Sequence, residues 1–346
     1  MRLTFCAAVC AIFFARPAIA DDKPKPNTLT PKEIADGWLL LFDGETTFGW
    51  TIDGEAAVKD GWLVLGGTKA TTATFNTSLP ANIVKFQVEY ADDVAKEKRP
   101  LLSLTSGYEN TPLRPKWIGG VFTEGMLTRT KITIPEGTIA KFRDFKITPA
   151  SNTKPLFNGK NLDGWKVNAA DPKRMASRFE VTKDGELSVK NGPGDLVTEK
   201  EFDNFVLQFE CKTLGDGLNS GFFFRCIPGQ YQNGYEAQVQ NSYLEKDRTK
   251  PKDFGTGAIY RRIASRKVVS NDNEWFTMTV VADGKHIATW VNGYQTVDWT
   301  DDRKEDENPR KGYRAAKGPI SIQGHDPTTD LLFRNIRVAE LPGEKK

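Results

Sequence analysis

One motif occurs twice, and it constrains the plan of the chain more than any other feature. Leu41-Phe-Asp-Gly-Glu-Thr-Thr-Phe-Gly-Trp50 returns as Leu156-Phe-Asn-Gly-Lys-Asn-Leu-Asp-Gly-Trp165. Each copy also closes alike, on Lys141-Phe-Arg-Asp-Phe-Lys-Ile147 and on Leu332-Phe-Arg-Asn-Ile-Arg-Val338. A shared opening and closing implies two units of one kind. The first spans residues 37–150 and the second 154–341, so the first lacks material from its middle. Between the markers, short runs alternate at period two: Phe205 to Cys211, Gly221 to Cys226, Tyr235 to Asn241, Trp275 to Ala282, His286 to Val291 and Ile320 to His325. Asn292-Gly293 and Asp283-Gly284 are hairpin signals. No pattern suits a helix longer than two turns. Many short strands at even spacing predict an all-β chain, each unit a β-sandwich or jelly roll.

The first twenty residues stand apart. Arg2, an apolar run from Leu3 to Phe14 and Ala18-Ile19-Ala20 read as an export signal cut before Asp21. Residues 21–36 then form a linker, and the mature protein is expected in the periplasm or secreted. Loss of Arg2 and Arg16 takes the formal net charge from +3 to +1. That balance gives no field drawing the chain to nucleic acid or an anionic bilayer, and no later stretch is long enough for a membrane anchor. Cys6 and Cys10 leave with the leader. Cys211 and Cys226 end two apolar alternations; if those strands form a hairpin, both sulfurs enter one core, as two thiols or as a disulfide. Residues 300–316 carry ten charges and no apolar stripe, which predicts a solvated loop, a candidate rim.

The polar sides of four strands share a chemistry. Glu236, Gln238 and Gln240 alternate with Tyr235, Ala237 and Val239; Arg225 opposes Phe222, Phe224 and Cys226; Gln208 and Glu210 oppose the Phe205 set; Ser321, Gln323 and His325 oppose Ile320 and Ile322. Amide, carboxylate and guanidinium groups present paired donors and acceptors, which suits vicinal sugar hydroxyls. A satisfied polar network on an outer sheet face gives the same pattern.

The residues also carry a family resemblance. Asn219-Ser-Gly-Phe-Phe-Phe-Arg225, Gly234-Tyr-Glu-Ala-Gln-Val-Gln240, Gly257-Ala-Ile-Tyr260, Trp290-Val-Asn-Gly293 and Phe333-Arg-Asn-Ile-Arg337 follow one another at fitting distances. With the opening Leu-Phe-Asn-Gly-Lys and Asp-Gly-Trp, the second unit resembles the bacterial 3-keto-disaccharide hydrolase family. The first resembles it only at its ends. The resemblance implies a concanavalin-like jelly roll with sugar on its concave sheet. It also implies a chemistry: a ketone at carbon 3 acidifies the proton on carbon 2, a base removes it, the glycosidic oxygen leaves carbon 1, and water adds later. Such a site needs a base, a donor at the ketone oxygen and an acid for the leaving group.

On that reading Glu236 is the base, His325 the proton donor or a metal ligand, and Arg225 the group steadying the enolate oxygen. Gln238, Gln240 and Gln323 read hydroxyls, with Asn219 and Glu210 as further substrate contacts. The expected partner is an oligosaccharide or glycoside. One divalent metal ion is compatible with the site, though the sequence requires none. His286 is read as an outward strand residue without a role. Gln240-Asn241 stands where relatives often carry an acid, and Cys226 replaces a commoner glycine. The first unit lacks counterparts of the Glu236 strand and the His325 segment, so it is expected to be non-catalytic. Two other readings fit the same residues. A non-catalytic carbohydrate-binding module needs the same forked groups and no base. An ordinary glycosidase would pair Glu210 with Glu236 at ~5.5 or ~6.5–9.5 Å.

Overall fold

A computed structural model describes residues 25–104, 108–122, 127–149 and 153–342; the expected leader, residues 1–20, lies outside these. The described chain is nearly all-β, and its longest helix, Pro31–Ala35, has five residues. That helix lies in the expected linker, capped by the Thr30 hydroxyl and the Glu33 side chain. The linker is also fastened, because Asn27 and Asp144 exchange two backbone-to-side-chain hydrogen bonds of 2.7 and 2.8 Å.

Each half folds as two antiparallel sheets face to face. In the second half, a front sheet runs in the order Trp165–Val167, Gly194–Phe202, Gly318–Gly324, Ser220–Phe224, Tyr235–Val239. The rear sheet has eight strands; its central members are Asp330–Glu340, Phe205–Thr213, Phe276–Asp283 and His286–Val291. Large apolar side chains from both sheets meet between them, with Phe209 stacked on Phe222 at 3.9 Å and Phe205 edge-on to Phe224 at 5.6 Å. Asn292 and Gly293 both have positive φ and close the His286–Val291 to Tyr294–Thr300 hairpin, as that dipeptide demands.

The repeat is visible in atoms. Trp50 Nε1 donates to the Leu41 carbonyl at 2.6 Å, and Trp165 Nε1 donates to the Leu156 carbonyl at 2.8 Å. Asp43 and Asn158 each accept two backbone N–H groups of the following turn. In the closing strands, Asp144 and Asn335 both adopt φ of 52°. The first half likewise builds a seven-stranded and a five-stranded sheet.

The halves share a core. On His286–Val291, Ile287 and Val291 point between the second half's sheets, while Ala288 and Trp290 point the other way into the first half's core with Val206 and Val281. Trp290 Nε1 donates to the Leu40 carbonyl at 3.0 Å, and Arg266 pairs with Asp43 at 2.7 Å. The first half therefore covers the back of the rear sheet and leaves the front sheet's outer face free. His286, expected to face outward without a role, lies at this junction, 2.9 Å from the Thr77 hydroxyl and 3.2 Å from Asp298.

The two cysteines take the thiol form of the two left open, and the hairpin that would have brought them together does not form. Phe205–Thr213 and Ser220–Phe224 lie in facing sheets, not in one hairpin. Because these strands run antiparallel across the core, Cys211 and Cys226 fall towards opposite ends of it. Both are free, buried thiols, and burial pushes both pKa values up.

Candidate functional site

Strand register sets out the front sheet's outer face as a grid. In one row Val197 pairs with Ser321, Ser321 with Phe223, and Phe223 with Glu236. In the next, Asp195 pairs with Gln323 and Gly221 with Gln238. Successive side chains alternate across a strand, so these residues turn away from the core that Leu196, Ile322, Phe222 and Ala237 fill. Loops rise over the grid and enclose a cleft of about 550 Å³. Glu236, Phe223 and Gln323 lie in it, with Arg261, Arg310 and His325 also lining it. The 300–316 segment is thus a rim, through Pro309 and Arg310.

Glu236 is 8% exposed, and among the described residues nothing donates a hydrogen bond to its carboxyl. Its side chain lies over Gly221, where an added Cβ would sit 2.6 Å from Oε1. Burial, and secondarily the charge of Asp253, push its pKa up to about 8 against the opposing pull of Arg310 and Arg261. Desolvation favours the neutral acid, so this carboxyl ionises only in part near neutrality. His325 follows the Gly318–Gly324 strand; its Nδ1 lies 2.7 Å from Asp326 Oδ2, and its backbone N–H donates to Thr329 Oγ1 at 3.0 Å. Gln323 Nε2 donates to Gln232 Oε1 at 2.9 Å. That bond leaves Gln323 Oε1 and Gln232 Nε2 buried without a partner among the described residues. An unpaired buried amide is costly, and here one free acceptor and one free donor belong to residues lining the same cleft.

Glu236, Gln323 and His325 come together, across the intervening Ser220–Phe224 strand; three other residues do not. Arg225 is fully buried outside the cleft. It has a φ of 48° just past the end of its strand, which breaks the alternation that placed it beside Phe223. Its guanidinium instead donates to the carbonyls of Gly284 and Asp203 and to Asn204 Oδ1. Glu210 lies on the rear sheet, bound by Arg334 and Asn335. Alternation fixed the side of its strand but could not say which sheet the strand joins. Gln240 stands beyond Tyr235–Val239 and closes a turn, donating to the Gly217 carbonyl and accepting from Ser242 N–H. Gln238 and Asn219 fall between these cases. Both donate to Asp253, at 3.2 and 2.9 Å, and so brace the loop beside Glu236 without lining the cleft.

Residues 152–339, more than half of the chain, match the family model of the 3-keto-alpha-glucoside-1,2-lyase-like domain. The chain belongs to this family. Solved structures similar to this family member include two of candidate glycosyl hydrolases from Parabacteroides distasonis. One is 24% identical, covers 55% of this chain and 94% of its own, and has a TM-score of 0.45. The other is 26% identical, covers 55% and 100%, and has a TM-score of 0.43. A carbohydrate-binding module of Bacillus subtilis is 16% identical over 51% of this chain and 95% of its own, with a TM-score of 0.36. Among curated proteins, none matches.

Around the cleft, sequence reasoning missed Gln232, Arg261 and Arg310, which sit on loops where no periodicity operates. It also missed Asp195. This residue is 1% exposed and lines an adjoining hollow of about 370 Å³ with Ser321 and Asn168. Its Oδ2 accepts from Ser321 Oγ at 2.9 Å, its Oδ1 has no partner among the described residues, and burial raises its pKa. Extending the period-two reading to Gly194–Phe202 would have found it, because Asp195 and Val197 flank the core residue Leu196. No group of three or more His, Cys, Asp or Glu side chains among the described residues could hold a metal ion.

Proposed function

We propose that the second sandwich cleaves glycosides whose sugar carries a ketone at carbon 3. Glu236 takes the proton from carbon 2, and the electron pair moves into an enolate at carbon 3. As the enolate collapses, a double bond forms between carbons 1 and 2 and the carbon 1–oxygen bond breaks. His325 gives a proton to the departing oxygen. Water then adds at carbon 1 while carbon 2 regains a proton, so the net result is hydrolysis. The free Gln232 amide replaces Arg225 as the donor for the ketone oxygen. The single observation that carries this reading is Glu236, a desolvated carboxyl without a hydrogen-bond partner in an open cleft. A group kept in that state lowers stability, and a pKa brought near neutrality suits a base working there.

The two-carboxylate route has less support. Glu210 lies on the other sheet, bound by Arg334 and Asn335. Asp195 shares the front face but is three inter-strand steps of ~4.8 Å from the Glu236 strand, roughly 14 Å between backbones. That exceeds the ~6.5–9.5 Å of an inverting carboxylate pair. In this proposal the first sandwich is non-catalytic, the protein acts in the periplasm or outside the cell, and its partner is a glycoside. The test is a matched assay. Release of reducing sugar from a 3-keto-glycoside, and none from the unoxidised parent, is the expected result. Equal turnover of both would establish the ordinary glycosidase route, and binding of both without turnover would make the protein a binding module.

A further inference from the structure

The charge around Glu236 is one-sided. Four arginines line the cleft, Arg174, Arg261, Arg262 and Arg310, against a single carboxyl. Two of them have assigned tasks. Arg174 lies 4.4 Å from the Tyr231 ring and 3.6 Å from Asp171. Arg262 donates to the carbonyls of Arg261, Pro309 and Arg310, tying the loops that carry the other two. Arg261 lies 5.2 Å from the Tyr260 ring, and Arg310 gives one N–H to the Gln232 carbonyl. Neither Arg261 nor Arg310 has an ion pair with a carboxylate among the described residues, though both act on the charge of Glu236. The nearby acids are engaged elsewhere. Asp253 accepts from Asn219 and Gln238, and Asp301 from Arg303 and the Tyr235 hydroxyl.

We propose that the cleft takes an anionic glycoside, one bearing a carboxylate or sulfate group, and that Arg261 and Arg310 read that charge. This deepens the sugar-site reading and rests on it. Like-charged guanidinium groups brought together around a hollow repel one another, and an anion between them turns that repulsion into attraction. The buried free amide groups of Gln232 and Gln323 supply hydroxyl contacts beside that charge. A neutral glycoside would use those amides and leave both exposed guanidinium groups to water and Glu236.

Calorimetric titration of the full mature chain with methyl glucuronide, a methyl glucoside 6-sulfate and plain methyl glucoside tests the idea. The anionic ligands should bind about tenfold or more tightly than the neutral one, with the advantage shrinking as salt is added. The carboxylate and sulfate arms separate the two sources of charge. In the Arg261→Gln/Arg310→Gln double variant, confirmed folded by its melting curve, the affinity ratio should fall towards one. Arg261→Lys, which keeps a charge, should retain a preference. Equal affinity for neutral and anionic ligands, or a preference that survives the double variant, overturns the proposal. These ligands are unoxidised and the readout is binding, so failure of the 3-keto chemistry registers separately in the turnover assay.

Discussion

At the scale of single residues, the burial of Glu236 makes stability depend on pH, and the dependence has a sign. Its folded pKa of about 8 lies above the 4.5 of an ordinary glutamate. As pH rises, the unfolded chain therefore releases this proton first. Stability attached to the group is complete below about 4.5 and is lost as pH climbs through about 8. Glu236→Gln should abolish turnover, leave melting at pH 4.5 almost unchanged, and stabilise the protein at pH 8 by a few kcal/mol. Paired thermal melts and assays check this; loss of stability at pH 8 would make the side chain a structural partner. In the wild-type protein, kcat/KM should rise as pH climbs towards about 8, because a base must be ionised. A falling profile would instead make Glu236 the acid.

At the scale of strands, alternation carried much information and had two blind spots. It placed Glu236, Gln238, Gln323 and Ser321 on one face because these positions lie within or beside regular strands that pair in register. It could not say that Gln208 and Glu210 belong to the facing sheet, since both sheets of a sandwich show the same period. It also failed at Arg225, where one left-handed residue ends the strand and swings the side chain into the loops. The walls of the cleft were the least legible part. Arg261, Gln232 and Arg310 reach it from loops whose paths depend on tertiary contacts such as the three carbonyls clasped by Arg262. One strand feature is directly testable. Gly221→Ala puts a methyl 2.6 Å from the Glu236 carboxylate oxygen, a flexible group that can move aside. Turnover should fall roughly 10- to 100-fold through misplacement of that carboxyl, while the melting temperature changes little. Unchanged turnover would show that the position of the carboxyl is not critical.

At the scale of the molecule, the repeat was readable from the Leu-Phe-Asp/Asn-Gly and Gly-Trp markers, yet nothing in the sequence showed how the two copies meet. The answer lies in three rear-sheet strands, Phe205–Thr213, Phe276–Asp283 and His286–Val291, whose two sides feed two cores. Trp290 is fully buried and makes its contacts with the first sandwich. A fragment of residues 153–342 would lay bare Trp290, Val206, Val281 and Ala288, an apolar area that soluble monomers rarely show. The fragment should aggregate or bind a hydrophobic dye, whereas the intact chain should not; gel filtration decides. A monomeric fragment with the intact chain's melting temperature would show that the junction is dispensable.

The tryptophan clasps have a consequence for assembly. Each spans only nine residues, so each can close while the rest of its half is still unformed, giving the nascent chain two look-alike seeds. Look-alike seeds invite exchange between halves and between neighbouring molecules. The safeguard is asymmetry: Trp290, on the back of the second half's rear sheet, seats its indole in the first half's core and donates to the Leu40 carbonyl.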